Sequence, residues 1–395
     1  MNTLDSIRDR HLRAVIDLRH RLHRIPELGY EEHKTAAAIR EHLDRLGISH
    51  IGGVDGAPTT TIAVIGDAAK PCIALRADMD ALPIAEQTGL PYASEHPGRM
   101  HACGHDGHCA ALVGAGAVLN EMAERLPVCV KLIWQPAEEA GGGAQRVIAA
   151  GVLDGRIGPP VKAIFALHGW PGLKVGCVAT KRGPMLAATD NFTATFHGQG
   201  CHGAYPHMGR DPIVAAAQAV VALQQVISRD MDPTDGAVVT VGLFNAGVAV
   251  NIIPDAATFS GTARTLTEAN RRRIRAAIER RCAGAAAGAD CRLEFQWSEG
   301  YPAVNNDPAM ADFVAEVARS TLGPDRFIPV AKPSMGGEDF SYYLERVPGC
   351  IFLIGVEAGD RNGYPVLHSD QYDFTDDALA VAIGMLVEVA ARFPA

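Results

Sequence analysis

The stretch Met100-His101-Ala102-Cys103-Gly104-His105-Asp106-Gly107-His108 packs one thiol, three imidazoles and a carboxylate into nine residues. Each of these groups is a ligand type for a divalent metal ion. The glycines at 104 and 107 let the backbone bend tightly around an ion. A second ligand-rich spot, Pro136-Ala137-Glu138-Glu139-Ala140, follows an apolar run. Residues of these types, kept close together, point to metal-assisted activation of water, which is hydrolytic chemistry.

Something must hold these groups in place, and the patterning says what. Helical periodicity runs over 4–24, with Ile7, Val15, Leu18 and Leu22 on one face, and Pro26 ends it. A second helix is expected over 31–46 and stops at Gly47. Short apolar runs at 60–65, 72–75, 128–134, 163–167 and 350–355 read as strands. Helices at 107–125, 144–150, 308–322 and 375–391 alternate with them. That alternation implies an α/β fold with a largely parallel sheet covered on both faces. The character changes near residue 187, where alternating strands at 190–197, 238–244, 257–264 and 291–297 mix with helices at 212–228 and 268–285. The expected architecture is a metal-binding catalytic domain from 1–186 and 300–395, with a smaller α+β domain, 187–299, inserted between its halves.

In open α/β sheets, sites gather at the carboxyl ends of strands. Arg76-Ala77-Asp78-Met79-Asp80, Gln135–Glu139 and His168 each follow a strand-like run, and His368 follows one after a loop. Cys103, His105, Glu139, His168 and His368 suit two metals sharing a bridging water. Glu138 sits beside a ligand and is suited to take that water's proton. Asp78 and Asp80 fit the orienting of ligands or the capping of a helix. Taken singly, the bland readings are stronger: a structural histidine, a solvated Glu-Glu pair, a core cysteine. They weaken jointly, because the clusters recur after apolar strands. His101 and His108 are evenly balanced between site support and structure. Gly141–Gly143 lack the lysine and hydroxyl of a phosphate loop and read as a turn.

Composition excludes several classes. The net charge of −9 argues against nucleic acid or a membrane surface as partner. The run Arg271-Arg272-Arg273 lies in a helical pattern and reads as a solvated face. The sequence carries no signal-peptide core and no apolar run long enough to span a bilayer, so the cytoplasm is expected. The nine cysteines are scattered and odd in number, which is not a disulfide framework. Cys72, Cys129 and Cys350 lie in apolar runs and read as buried hydrophobes.

In order along the chain, further motifs complete a pattern. They are Arg19-His20-Arg21-Leu22-His23 with Pro26-Glu27, Arg76-Ala77-Asp78-Met79-Asp80-Ala81-Leu82-Pro83, Gln135-Pro136-Ala137-Glu138-Glu139 and Gly203-Ala204-Tyr205-Pro206-His207. Asn251-Ile252-Ile253-Pro254, Gly261-Thr262-Ala263-Arg264, Met335-Gly336-Gly337-Glu338-Asp339-Phe340 and Leu367-His368-Ser369-Asp370 follow. With the Cys-Gly-His-Asp stretch, the chain resembles the dinuclear-metal aminoacylase and carboxypeptidase family. It looks closest to the branch of hippurate hydrolases, N-acyl-amino-acid amidohydrolases and auxin-conjugate hydrolases, and the match covers nearly the whole chain.

The resemblance implies roles. Cys103, His105, Glu139, His168 and His368 match the metal ligands of this branch, and Glu138 matches the general base. Much of the wider family has a bridging aspartate where Cys103 stands and a histidine ligand where Arg76 stands. His202 matches a lid-domain histidine that crosses to the partner subunit's active site, while Asn251 and Arg264 match residues that hold the substrate near its carboxylate. Asp78 is expected to orient ligands from behind. The inserted domain matches a lid and dimerisation domain, so a homodimer is expected. Two divalent ions are implied, zinc or manganese first, with cobalt or nickel compatible. The implied reaction is cleavage of an N-acyl amino acid into a carboxylic acid and a free amino acid. The alternative is a metallo-dipeptidase or carboxypeptidase, in which Glu338 or Asp339 would bind a free amino terminus rather than cap a helix. A non-catalytic binding protein is disfavoured because Glu138 and all five ligand positions are intact, and a metal-binding redox or storage protein because of the paired glutamates and the two-domain layout. Cys201 and Tyr205 stand where relatives carry smaller residues, and neutral packing is the favoured reading of both.

Overall fold

The computed structural model describes residues 3–139, 141–359 and 363–394, with side chains from Arg8 onward. The chain divides into two compact units. One comprises Met1–Gly183, Asn305–Ala331 and Asp339–Ala395; the other comprises Pro184–Val304 and Lys332–Glu338.

The larger unit is built on an eight-stranded sheet. Side by side, its strands are His50–Val54, Ala57–Ile65, Cys129–Gln135, Cys72–Asp78, Val161–Lys174, Gly349–Glu357, Val178–Thr180 and Phe327–Pro329. The sheet is mainly parallel through its middle. Cys72–Asp78 pairs in parallel with Cys129–Gln135 and with Val161–Lys174, and Gly349–Glu357 continues the parallel run. Antiparallel pairings lie outside it, as in His50–Val54 on Ala57–Ile65. Cys72–Asp78 and Cys129–Gln135 are buried at every residue, as strands covered on both faces must be.

Helices Thr3–Arg24, His105–Glu121 and Leu379–Arg392 pack together over this sheet. Val15, Leu18 and Leu22 point into the core, as their periodicity predicts. Gly114 makes the close meeting possible. A Cβ there would lie 2.6 Å from Ile383 Cδ1 and 3.0 Å from Val15 Cγ2, so only hydrogen fits between the three helices.

The smaller unit carries a four-stranded antiparallel sheet in the order Ala237–Ala246, Ala256–Thr265, Ala188–His197, Arg292–Glu299. Strict alternation along Ala188–His197 buries one face, and Phe192, Phe196 and Phe259 pack there against helices Pro212–Gln225 and Glu268–Gly288. Both helices start at side-chain caps. Asp211 accepts from the backbone N–H of Ile213 and Val214, and Thr267 accepts from that of Asn270.

Three expectations change. Arg271 does not face solvent: its fork grips Asp190 at 2.6 and 2.9 Å and its Nη2 also donates to the Gly300 carbonyl, because Asp190 is buried and requires a cation. Lys332–Glu338 packs with the smaller unit although the pattern after residue 300 resembles the larger one. Ser334 N–H donates to Met185 O at 2.9 Å and Ala187 N–H to Gly336 O at 2.8 Å, which ties the segment there. The strand read at 163–167 runs on through Pro171 to Lys174, beyond the histidine that ends the apolar run.

Candidate metal centre

The local backbone explains how the ligand stretch is shaped. Gly104 adopts φ +88°, a left-handed conformation, and forms the N-cap of helix His105–Glu121. Cys103 lies just before this cap and His105 is the first helical residue, so both point to the same end of the helix. The peptide after Cys129–Gln135 turns sharply, with Ala137 at φ +53°. That turn offers two successive N–H groups to one carboxylate. Asp80 Oδ1 accepts from Glu138 N at 3.0 Å and Asp80 Oδ2 from Glu139 N at 2.9 Å. His368 also has a positive φ, of 63°, and its N–H is anchored on Ala102 O at 2.8 Å.

The five ligand positions converge. Donor atoms of Cys103, His105 and His168 lie within 4.8 Å of one another, and so do those of Cys103, Glu139 and His368. Cys103 is common to both groups. Cys103 Sγ stands 3.5 Å from His168 Nε2. His368 Nε2 stands 3.2 Å from Glu139 Oε1.

The remaining ring nitrogens fix the tautomers. His105 Nδ1 donates to the Asp80 carbonyl at 2.8 Å and His168 Nδ1 donates to the Gly169 carbonyl at 2.8 Å. Each therefore turns an Nε2 lone pair toward the cluster, the arrangement second-shell partners give to metal-bound histidines. His105 Nε2 is buried without a hydrogen-bonded partner. Such an atom is costly unless a cation engages it.

The electrostatics agree. Burial pushes the Cys103 thiol well above its usual range, and Glu139, Glu138 and Asp78 push it further; only a cation makes a thiolate stable there. Burial lowers His168 to about 3, with His108 adding to the effect, so it is a neutral ligand. Burial alone would lower His105, but Asp78, Asp80 and Glu139 reverse this and carry it up to about 10. The pocket is one that favours positive charge. On donor chemistry, lone-pair direction and charge, these residues fit divalent ions.

Glu138 is 6 % exposed, and its Oε1 accepts from the Asp339 N–H at 3.3 Å. Its carboxylate, that of Glu139 and a ring nitrogen of His105 lie within 4.8 Å of one another. Asp78, fully buried, accepts from Arg76 at 2.6 Å and from His108 Nδ1 at 2.7 Å. His108 Nε2 in turn accepts from Gly169 N at 2.8 Å. Both its nitrogens are occupied, so His108 is a strut with no ring nitrogen left for the cluster. His101 is buried with neither ring nitrogen hydrogen-bonded, and burial lowers it to about 3.

Sequence reasoning underrated Asp80, Arg76, Gln135 and Asp339. Their signal was polar residues closing buried apolar strands. Asp339 does not cap the helix that follows it: its carboxylate accepts from Arg76 at 2.8 Å, from Gln135, and from Ala144 N in the first turn of helix Gly143–Ala149. With its carboxylate so committed, Asp339 is unsuited to bind a substrate amine.

The other three expected residues belong to the smaller unit. Cys201–His202 pairs with Ile252–Ile253, and Gly203 N–H donates to Asn251 O at 2.8 Å, so His202 and Asn251 are neighbours across a short ladder. His202 is exposed, and its Nδ1 accepts from Ala204 N at 3.0 Å, which leaves Nε2–H pointing outward as a donor. Tyr205 is exposed, with its ring centroid 5.5 Å from that of His202. Arg264 lies half-buried on Ala256–Thr265, where burial lowers its pKa.

A thiol, imidazoles and carboxylates placed in two groups with one shared member, beside a glutamate in neither role of strut nor cap, define the class of metal-dependent hydrolases. The chain belongs to peptidase family M20/M25/M40, whose model matches residues 74–392. It is 40 % identical over 380 residues to an N-acetyl-L-cysteine deacetylase of Bacillus subtilis, covering 96 % of this chain and 88 % of the relative. It is 37 % identical over 383 residues to an IAA-amino acid hydrolase of Arabidopsis thaliana, covering 96 % and 85 %. Among solved structures, a Bacillus subtilis protein described as a dinuclear metal binding peptidase of the M20 family superposes with a TM-score of 0.84 at 37 % identity, covering 97 % of this chain and 98 % of that one.

Proposed function

We propose that this enzyme hydrolyses the amide bond of N-acyl amino acids, releasing a carboxylic acid and a free amino acid. Support comes from relatives named for deacetylation or hydrolysis of such conjugates, similar over nearly the whole chain. The observation that carries the reading is the division of labour within one glutamate pair. Glu139 faces Cys103 and His368, while Glu138 is held by the Asp339 N–H beside them.

In this reading Cys103, His105, Glu139, His168 and His368 hold two divalent ions, zinc or manganese first, with cobalt or nickel compatible. When bound, these supply Lewis acidity and lower the pKa of water. Glu138 accepts the proton of the attacking water and returns it to the leaving nitrogen. The amide carbonyl becomes tetrahedral, and the Nε2–H of His202 is suited to donate to the developing oxyanion. The Arg264 guanidinium suits a charge-assisted grip on the substrate carboxylate, with Asn251 assisting.

The larger unit is the catalytic domain and the smaller a lid and dimerisation domain, with His202 serving the partner's site. Leu243, Phe244, Val248 and Val250 are exposed on the edge strand Ala237–Ala246 and the loop after it. Such a patch on a free sheet edge suits a second copy of this chain. Sedimentation equilibrium tests the homodimer. No helix among the described residues is long and apolar enough to cross a membrane, which accords with a cytoplasmic enzyme.

The deciding experiment is amine release from N-acetyl, N-benzoyl and indole-acetyl amino acids, before and after chelation and metal add-back. Metal-restored release is expected, and Glu138→Gln should abolish turnover while retaining metal. Release from glycyl dipeptides alone would replace this reading with a dipeptidase. Full turnover in Glu138→Gln would remove the general-base assignment.

A further inference from the structure

The guanidinium of Arg76 is completely buried and donates to side chains in three directions. Nε donates to Gln135 Oε1 at 2.9 Å, Nη1 to Asp78 Oδ2 at 2.6 Å, and Nη2 to Asp339 Oδ1 at 2.8 Å. Gln135 closes the ring by donating to both oxygens of Asp339 at 2.9 Å. Phe340 covers one face, with its ring centroid 5.9 Å from the guanidinium carbon.

Each carboxylate on this fork leads to a different part of the centre. Along one arm, Asp339 presents its backbone N–H to Glu138 Oε1 at 3.3 Å. Anchoring that oxygen leaves the orientation of the carboxylate defined. Along the other arm, Asp78 Oδ1 accepts from His108 Nδ1 at 2.7 Å, and His108 Nε2 accepts from Gly169 N at 2.8 Å. Gly169 O receives the Nδ1–H of His168 at 2.8 Å, which sets the lone pair that faces Cys103. The path from Glu138 to His168 is therefore continuous and passes through one planar cation.

We infer that Arg76 is a positioning residue that sets Glu138 and the His168 side of the metal centre in register with each other, through Asp339 on one arm and Asp78 on the other. A lysine cannot replace it. An ammonium on a flexible stem cannot span two carboxylates in fixed directions as the planar fork does. This inference rests on the assignment of Glu138 as general base.

The test uses the full-length, metal-loaded enzyme and the substrate it hydrolyses best. In Arg76→Lys, kcat should fall about 10- to 100-fold at full metal load, with KM near the parent value. Asp339→Asn keeps the backbone N–H and the volume but breaks one arm. It should lower kcat in the same way and leave the visible absorption of the cobalt-substituted enzyme unchanged, whereas Arg76→Lys should shift that spectrum. The double variant should be no worse than the poorer single one, because both cut one path. Parent-like kcat in Arg76→Lys overturns the inference, as does a loss that vanishes once activity is expressed per bound metal. Additive losses in the double variant, or an unshifted cobalt spectrum in Arg76→Lys, overturn it too. If Arg76→Lys does not fold, parent-like kcat in Asp339→Asn overturns it alone. Full turnover in Glu138→Gln would instead sink the general-base reading, so the two failures are distinguishable.

Discussion

Asp80 offers the sharpest perturbation of the centre, because it contacts both glutamates without being a candidate ligand. It is 1 % exposed, and its two oxygens accept the successive N–H groups of Glu138 and Glu139 at 3.0 and 2.9 Å. Hydrogen bonds to a charged group contribute about 1.5–3 kcal/mol each. Asp80→Asn is nearly isosteric, but one acceptor becomes an NH2 that faces an N–H, and the surviving bond loses its charge. The loss should come to about 2–4 kcal/mol, shared between folding and the alignment of the pair. If half is expressed in holding Glu139 toward Cys103 and His368, metal binding weakens by about 1–2 kcal/mol, or roughly 10-fold. That falls within the range of about 10- to 100-fold typical of groups behind metal ligands. Chelator competition on the metal-free protein measures the affinity, and thermal unfolding with and without metal separates the folding share. Unchanged affinity together with unchanged kcat would refute the idea that one carboxylate aligns both glutamates.

Two further outcomes follow from buried charge. His23 lies between Asp106 at 2.9 Å and Glu86 at 3.3 Å; burial lowers its pKa, and Asp106 followed by Glu86 carries it up to about 9. Its folded pKa is thus above its unfolded one, so its contribution is full below about pH 6.5 and lost as pH rises through about 9; at about 1.4 kcal/mol per unit it is worth roughly 3 kcal/mol. Melting temperature should decline across that window in the parent and stay flatter in His23→Gln, and identical slopes would contradict the assignment. Lys131 is fully buried, and its ammonium is bound by the carbonyls of Val152, Ile157 and Pro159. Lys131→Met strands those carbonyls and should cost about 3 kcal/mol, read as a lower denaturation midpoint with metal stoichiometry intact.

Much of this was legible because ligand chemistry and strand ends coincide in the sequence. Cys103, His105, Glu139 and His168 each stand beside a run of apolar residues that could only be buried, and the structure brings their donor atoms together. Buried ions were less legible. Lys131 sits inside a run that reads as purely apolar, and Arg76 closes another. Nothing local announces that each will find acceptors, since those come from Val152–Pro159 and from Asp339, distant in sequence. The edge strand His50–Val54 was missed for a different reason. Its Gly52-Gly53 pair and half-exposed residues give no alternation to read.

The two histidines at the start of helix His105–Glu121 show where spacing stops being informative. His105 and His108 are three residues apart, lie on one helix face, and have ring centroids 5.4 Å apart. By residue type and spacing they are equivalent ligands. What separates them is the account of their nitrogens. His105 commits Nδ1 to a carbonyl and turns Nε2 into the cluster, while His108 commits Nδ1 to Asp78 and Nε2 to the Gly169 N–H. Asp78 can take the His108 proton only because it is held as an anion. Burial opposes its ionisation, and His105, Arg76 and His108 together outweigh burial, keeping its pKa well below the usual range. What separates a candidate ligand from a strut is therefore the set of partners each ring meets outside the helix, Asp80 for His105 and Asp78 with Gly169 for His108, and not their spacing along it.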